Sequence, residues 1–205
     1  MIDIPIGDCS VILGGAIWAT DAQMGALIAG VVRQVPFRHQ ITLGGKKMSV
    51  AMTSCGDYGW CTGPQGYHYA SRDPHTGRPW PPIPDLWKEM ADHFSRRAGL
   101  GPFIPDSCLI NRYSRQASMS LHQDRDEATF DWPIVSLSLG LSARFAFGGF
   151  DRADKPQRHD LHSGDVVVWG GSDRLRYHGI ESIKGPADPT FRAFRYNLTF
   201  RRAGD

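Results

Sequence analysis

Two stretches in the first half of the chain carry apolar residues at helical spacing. From Thr20 or Asp21 onward, Met24, Leu27, Ile28, Val31, Val32 and Val35 fall at i, i+3, i+4 and i+7, a single buried stripe. Thr20 and Gln23 form a T-x-x-Q capping box at its start, and Pro36 stops it. A second helix is predicted from about Pro84, as a first-turn residue, through Leu86, Trp87, Met90 and Phe94 to Gly99. Each helix has one apolar face and needs a flatter surface to bury it.

Beyond Gly101 the period shortens. Short apolar runs (SCLINRYS, PIVSLSLGL, ARFAFGG, SGDVVVWGG, FRAFRYNLTFRR) are punctuated by Gly, Pro, Asp and Ser. In PIVSLSLGL, Val135, Leu137, Leu139 and Leu141 alternate with Ser136 and Ser138, a strand with one face in the core. Helices followed by a run of strands predict an α+β fold whose β-sandwich or jelly roll carries the site. The stretch from Pro36 to Pro82 is rich in Gly, Pro, Tyr and Trp and shows little regular pattern. Between Val31 and Val50 lie Arg33, Arg38, Lys46 and Lys47, with no acid. Two readings stand side by side: a lid or binding loop, or a pair of hairpins with a solvated charged face.

The 205 residues suit one domain, and 41% hydrophobic with 21% charged residues is globular composition. A net charge of +2 neither demands nor excludes nucleic acid. Cys9, Cys55, Cys61 and Cys108 stand far apart, which favours a reducing compartment over a disulfide framework. The N-terminal MIDIPIGDCSVILGG lacks a basic leader, and no segment reaches the ~18 apolar residues of a membrane span. A soluble, cytoplasmic protein is expected.

His122-Gln-Asp124 places two metal-ligand types on one face of an extended backbone. One distant histidine would complete a 2-His-1-carboxylate triad with open coordination positions, and His159, His162 and His178 all qualify. Alone the motif is weak: eight His and 18 Asp give about 0.7 such pairs by chance. The C-terminal Arg195-Tyr-Asn197-Leu-Thr199-Phe-Arg201 is more specific. Period two puts Arg195, Asn197, Thr199 and Arg201 on one strand face and Tyr196, Leu198 and Phe200 on the other. Two inward arginines need partners, and a dicarboxylic acid supplies them bidentately. With only two asparagines in the chain, Arg-x-Asn followed by Arg at this spacing is expected about 0.015 times. The other asparagine, Asn111, lies shortly before His122.

Together CLINRY, SLHQDRDE, PIVSLSLGL, FGG, GDVVVWGG, YHGI and RYNLTFR resemble the bacterial AlkB dioxygenases along nearly the whole chain, including the lid-like SVAMTSCGDYGWCTGPQGYHY. The resemblance implies a single domain, residues 1–205: a double-stranded β-helix over about 103–202, N-terminal helices buttressing it, and a nucleotide-recognition lid over about 36–82. It implies Fe(II) held by His122, Asp124 and His178, the last from its Y-H-G-I context. It implies 2-oxoglutarate held by Asn111, Tyr113, Arg195, Asn197 and Arg201, with O₂ as the second cosubstrate. On the substrate side it implies Trp60 stacking on a flipped base, Tyr67 near phosphate, Asp126 against the base, and Glu127 and Arg152 beside them. Trp80, Trp87 and Trp132 are read as packing residues.

The implied reaction converts 2-oxoglutarate to succinate and CO₂ while hydroxylating an N-alkyl carbon, so that an aldehyde leaves and the base is restored. The implied substrates are 1-methyladenine and 3-methylcytosine in DNA, with RNA as a further class, and the implied enzyme is a monomer. The chain departs from the family at Ser118, where a close relative carries lysine, and in Ala128–Trp132 and Lys155–Leu161. Three other readings explain less. A dioxygenase acting on a protein or small metabolite leaves the basic lid with its Trp60 and Tyr67 unexplained. A non-catalytic jelly roll or a zinc hydrolase leaves the arginine clamp without a purpose.

Overall fold

A computed structural model describes residues 2–15, 18–64 and 66–204. In chain order the elements are β1 (Ile2–Gly7), β2 (Ser10–Gly14), α1 (Asp21–Gln34), β3 (Arg38–Ile41), β4 (Lys47–Gly56), β5 (Gly59–Gly63), β6 (Gly66–Ala70) and α2 (Asp85–Arg97). Eight further strands follow: β7 (Ser107–Tyr113), β8 (Met119–His122), β9 (Ile134–Gly140), β10 (Ser142–Phe147), β11 (Gln157–Leu161), β12 (Val166–Trp169), β13 (His178–Lys184) and β14 (Arg195–Arg201).

Those last eight form two antiparallel sheets facing one another, β12-β9-β14-β7 and β11-β10-β13-β8. This is the double-stranded β-helix. The first sheet is extended to eight strands by β2-β1 beyond β12 and by β4-β3 beyond β7, while β5 and β6 form a separate hairpin. Two apolar cores result. The outer one packs Met24, Ile28 and Val31 of α1 and Trp87, Met90 and Phe94 of α2 against Val135, Leu137, Leu139, Leu198 and Phe200. The inner one, between the sheets, holds Leu109, Tyr113, Ile134, Phe145, Phe147, Val167, Trp169 and Ile180.

Both helices form as their patterns predict. The Thr20 hydroxyl accepts from Gln23 N–H while the Gln23 side chain accepts from Thr20 N–H, the reciprocal cap. Pro84 stands one place earlier than expected, as the N-cap of α2. Gly99, at φ +76°, follows the C-cap Ala98 in the left-handed conformation that ends a helix without a Cβ penalty.

The structure differs from the sequence pattern at several points. Strands β1 and β2 precede the helices, so the order is not helices first; their short run of apolar residues adds an edge to a sheet formed mainly by the second half. Within 36–82 the hairpin-pair reading holds over residues 38–70, while 71–82 carry only the isolated Arg72–Pro79 bridge. The ten-residue β4 also pairs with β7 from Ala51↔Arg112 to Gly56↔Ser107, so it belongs to the main sheet. Of the strands in this stretch, only the β5–β6 hairpin stands outside the main sheet. Nor is the basic stretch free of acids in space, since Asp73 grips Arg38 through Nη1 at 2.7 Å and Nη2 at 3.0 Å. Finally, Leu141 leaves the phase of Val135, Leu137 and Leu139. Gly140 at φ +78° turns the chain, and Leu141 enters the inner core instead.

Candidate metal and cosubstrate site

One cavity of about 380 Å³ opens between the two sheets under the β5–β6 hairpin. Its apolar walls include Met52, Leu109, Phe145, Trp169 and Ile180, and its polar groups come from β7, β8, β9, β13 and β14. At one end, His122 closes β8 and His178 opens β13, and the two are direct cross-strand partners. Asp124 follows two residues after His122. The ligand atoms of these three side chains all lie within 4.8 Å of one another, the one such group among the described residues. Asp124 Oδ1 is 3.7 Å from His122 Nε2, and Asp124 Oδ2 is 3.7 Å from His178 Nε2.

Backbone carbonyls select the tautomers. His122 Nδ1 contacts the Ser120 carbonyl at 3.0 Å, and His178 Nδ1 contacts that of Arg176 at 3.1 Å. A carbonyl can only accept, so each Nδ1 carries the proton and each Nε2 lone pair points at the shared space. Burial, with His122 beside it, pushes His178 down to about 4, so its imidazole is neutral at pH 7. Burial would raise the Asp124 carboxyl, but Arg201 foremost, then the two histidines, holds it well below the usual carboxylate range. Arg201 does this directly, donating to Asp124 Oδ2 from Nε at 3.1 Å and Nη2 at 2.7 Å. Two imidazoles and a carboxylate suit Fe(II) and leave positions open. Of the three candidate histidines only His178 joins the cluster, since His162 is exposed in a turn and His159 lies on β11.

The clamp strand carries the rest. β14 lies between β7 and β9, pairing Arg195 with Tyr113 and Asn197 with Asn111 on one side, and Asn197 with Ser138 on the other. Its apolar face, Leu198 and Phe200, is buried against the outer core, which turns Arg195, Asn197, Thr199 and Arg201 into the cavity as period two requires. Arg195 is only 1% exposed, and burial lowers it to about 10. Ser138 Oγ accepts from its Nη2 at 3.0 Å, while Nε and Nη1 have no partner among the described residues. Arg201 Nη1 and Asn111 Oδ1 are buried without partners as well. Leaving buried guanidinium N–H groups unpaired is costly. A dicarboxylate in the cavity would satisfy them, so these residues fit 2-oxoglutarate. Tyr113, raised to about 12 by burial, keeps its hydroxyl protonated beside Arg195.

Two serines and an arginine complete the site beyond what motifs disclosed. Ser136 Oγ accepts from Asn197 Nδ2 at 2.7 Å, as Ser138 does from Arg195; the PIVSLSLGL alternation had already put both serines on one face. Arg174 is buried and donates to the carbonyls of Asp124 at 2.7 Å and Trp132 at 3.0 Å, fixing the ligand's backbone. Nothing in its sequence surroundings marked it.

On the substrate side, Trp60 stands on β5, its ring 5.1 Å from that of the exposed Tyr67 on β6. Trp60 Nε1 donates to Asp126 Oδ2 at 2.9 Å. Arg152 is exposed on the loop after β10 and borders the cavity. Glu127 lines the same cavity, with its side chain only 1% exposed and lying against Tyr69 Oη, Arg174 and Arg201. Trp80 and Trp87 are buried and Trp132 is packed against the outer core, as expected. Gly59 is glycine because a Cβ there would overlap the Trp80 ring.

The sequence matches the 2OG-Fe(II) oxygenase superfamily over residues 12–201. The chain belongs to that family. It is 52% identical to the alpha-ketoglutarate-dependent dioxygenase AlkB of Salmonella typhimurium over 178 residues, 87% of this chain and 82% of that protein. It is 48% identical to AlkB of Escherichia coli over 200 residues, 98% and 93% of the two chains. The solved structure of OsALKBH1 superposes with a TM-score of 0.84 at 28% identity, covering 98% of this chain and all of that one. The protein is thus an AlkB-type Fe(II)/2-oxoglutarate-dependent dioxygenase, and its reaction is oxidative dealkylation.

Proposed function

We propose that this oxygenase repairs N-alkylated bases, such as 1-methyladenine and 3-methylcytosine, in DNA and also in RNA. Carrying this reading is the meeting, in one cavity, of the His122-Asp124-His178 cluster, the unsatisfied arginine donors and an aromatic hairpin at the mouth. Fe(II) held there would supply O₂ activation coupled to decarboxylation of 2-oxoglutarate, and with it hydroxylation of the N-alkyl carbon. The chain's own residues do the rest. Arg195 and Arg201, with Asn111, Tyr113 and Asn197, would bind and orient the cosubstrate, and the apolar walls exclude water around it. Trp60 offers a π-face for a base drawn out of the stack, and the carboxylate it anchors, Asp126, favours a ring carrying positive charge. Tyr67 and Arg152 lie at the rim, where phosphates would pass.

No helix among the described residues is long and apolar enough to cross a membrane, and all four cysteines are free. Free cysteines fit a reducing compartment, and a monomer acting in the cytoplasm is part of the same proposal. The reading is tested by incubating the iron-loaded protein, 2-oxoglutarate and a single-stranded oligonucleotide carrying 1-methyladenine in air, then weighing the product. Loss of one methylene with formaldehyde release supports base repair; succinate formation with an unaltered oligonucleotide would point to the alternative, a protein or small-molecule substrate.

A further inference from the structure

Among the described Phe, Tyr and Trp rings, that of Phe150 is the most exposed, at 55%. A single exposed phenylalanine is ordinary surface. This one differs in what lies beneath it. The Arg176 guanidinium carbon stands over its ring, 5.2 Å from the centroid, and 5.6 Å from the centroid of the buried Phe147. Arg176 is itself fixed, since Nε donates to Asp173 Oδ1 at 2.6 Å and Nη1 to the Gly148 carbonyl at 3.0 Å. Phe150 thus rests one face on a pinned cation, a contact that favours a single ring orientation, and leaves the other face to solvent.

The loop that carries the ring is folded on itself. Asp154 Oδ2 accepts from Asp151 N–H at 3.0 Å, and Asp151 Oδ1 accepts from Ala153 N–H at 2.9 Å. A Cβ at Gly149 would overlap the Asp154 carboxylate, so glycine is required just before Phe150. An exposed apolar ring held in place has already met much of the ordering cost of binding.

Its position says what would bind. Gly148 N–H donates to the Tyr177 carbonyl at 2.7 Å and Tyr177 N–H to that of Gly149 at 2.9 Å, and both Tyr177 and the nearby Arg152 line the cavity. Phe150 stands between these rim residues and is not itself part of the lining. An uncharged open ring face takes a planar partner by stacking, and the carboxylates of Asp151 and Asp154 beside it disfavour a phosphate there. A base that leaves the stack for the cavity deprives its neighbour of a stacking partner.

We propose that Phe150 is a second nucleobase subsite: the base next to the one in the cavity, on the same strand, stacks on its open face, while Arg152 meets the phosphate between them. The proposal rests on the reading of the cavity as the site of an alkylated base.

The test is a binding cycle without turnover, on protein loaded with Mn(II) and 2-oxoglutarate under argon. Two fluorescein-labelled single strands carrying 1-methyladenine are compared by anisotropy, one with thymine on both sides of the lesion and one with abasic sites there. Phe150→Ala should bind the first strand about five- to 150-fold more weakly than wild type, the worth of one stacked base, and the second within twofold of wild type. With 2-aminopurine beside the lesion, its fluorescence should be quenched on binding to wild type and less so on binding to Phe150→Ala. Unchanged affinity of Phe150→Ala for the first strand, or an equal loss on both strands, overturns the subsite. A wild type that binds neither strand fails the reading of the cavity itself, and the subsite falls with it.

Discussion

At the residue scale, the cavity is built from groups whose charges are held by other protein atoms until ligands arrive. Arg195 is held least, with one nitrogen bonded to Ser138 and Nε and Nη1 without a partner among the described residues. Arg195→Ala should weaken 2-oxoglutarate binding by about ten- to 150-fold, the value of a buried charge-assisted bond, and change oligonucleotide affinity of the metal-free protein little. Calorimetry with each ligand separates the two, and equal losses would assign the arginine to a nucleic-acid stripe. His178→Ala should abolish turnover, while His159→Ala and His162→Ala should retain it; the reverse pattern in a formaldehyde assay would move the third ligand. Much of this was legible beforehand, because period two and the rarity of asparagine single out the 195–201 strand. The choice among His159, His162 and His178 was not legible from spacing, since only cross-strand pairing puts His178 opposite His122.

At the scale of elements, the two helices and the alternating strands followed from local pattern, and the sheets did not. β4 escaped notice because Val50–Cys55 is buried on both faces, against the β5–β6 hairpin and α1 and beside β7, so its residues do not alternate. Glu127 and Arg174 were opaque for a related reason: Glu127 meets Tyr69 on β6, Arg201 on β14 and Arg174, while Arg174 meets Asp124, Glu127 and Trp132, all distant in sequence. The β5–β6 hairpin carries the clearest element-level prediction. Trp60→Ala should remove ~1–3 kcal/mol of oligonucleotide affinity, the worth of stacking on one base. Trp60 is only half-buried, so the melting temperature should fall much less than for Trp87→Ala, where losing a fully buried ring costs ~3–5 kcal/mol. Thermal melts beside binding curves distinguish the two, and a Trp60→Ala protein as destabilised as Trp87→Ala, with normal affinity, would make Trp60 a packing residue.

At the scale of the molecule, the jelly roll depends on carboxylates that tie its margins to its centre. Asp173 accepts from Cys9 N–H and Ser10 Oγ of the first hairpin and from Arg176, just before His178. Burial would raise its carboxyl, but these donors hold it below its ordinary value. Because the folded value lies below the unfolded one, its stabilisation is complete above about pH 4 and is lost as pH falls further. Asp173→Asn should therefore lower the melting temperature at pH 7 and flatten its decline below about pH 4; an unchanged acid limb would show that Asp173 does not titrate as described. The central claim, that one cavity joins metal, cosubstrate and alkylated base, is tested most directly by a stoichiometric turnover. The protein is loaded anaerobically with Fe(II), 2-oxoglutarate and an oligonucleotide carrying 3-methylcytosine, and oxygen is then admitted. One succinate and one formaldehyde per restored cytosine is the predicted result; succinate at the same rate with and without the oligonucleotide, and no restored base, would contradict it.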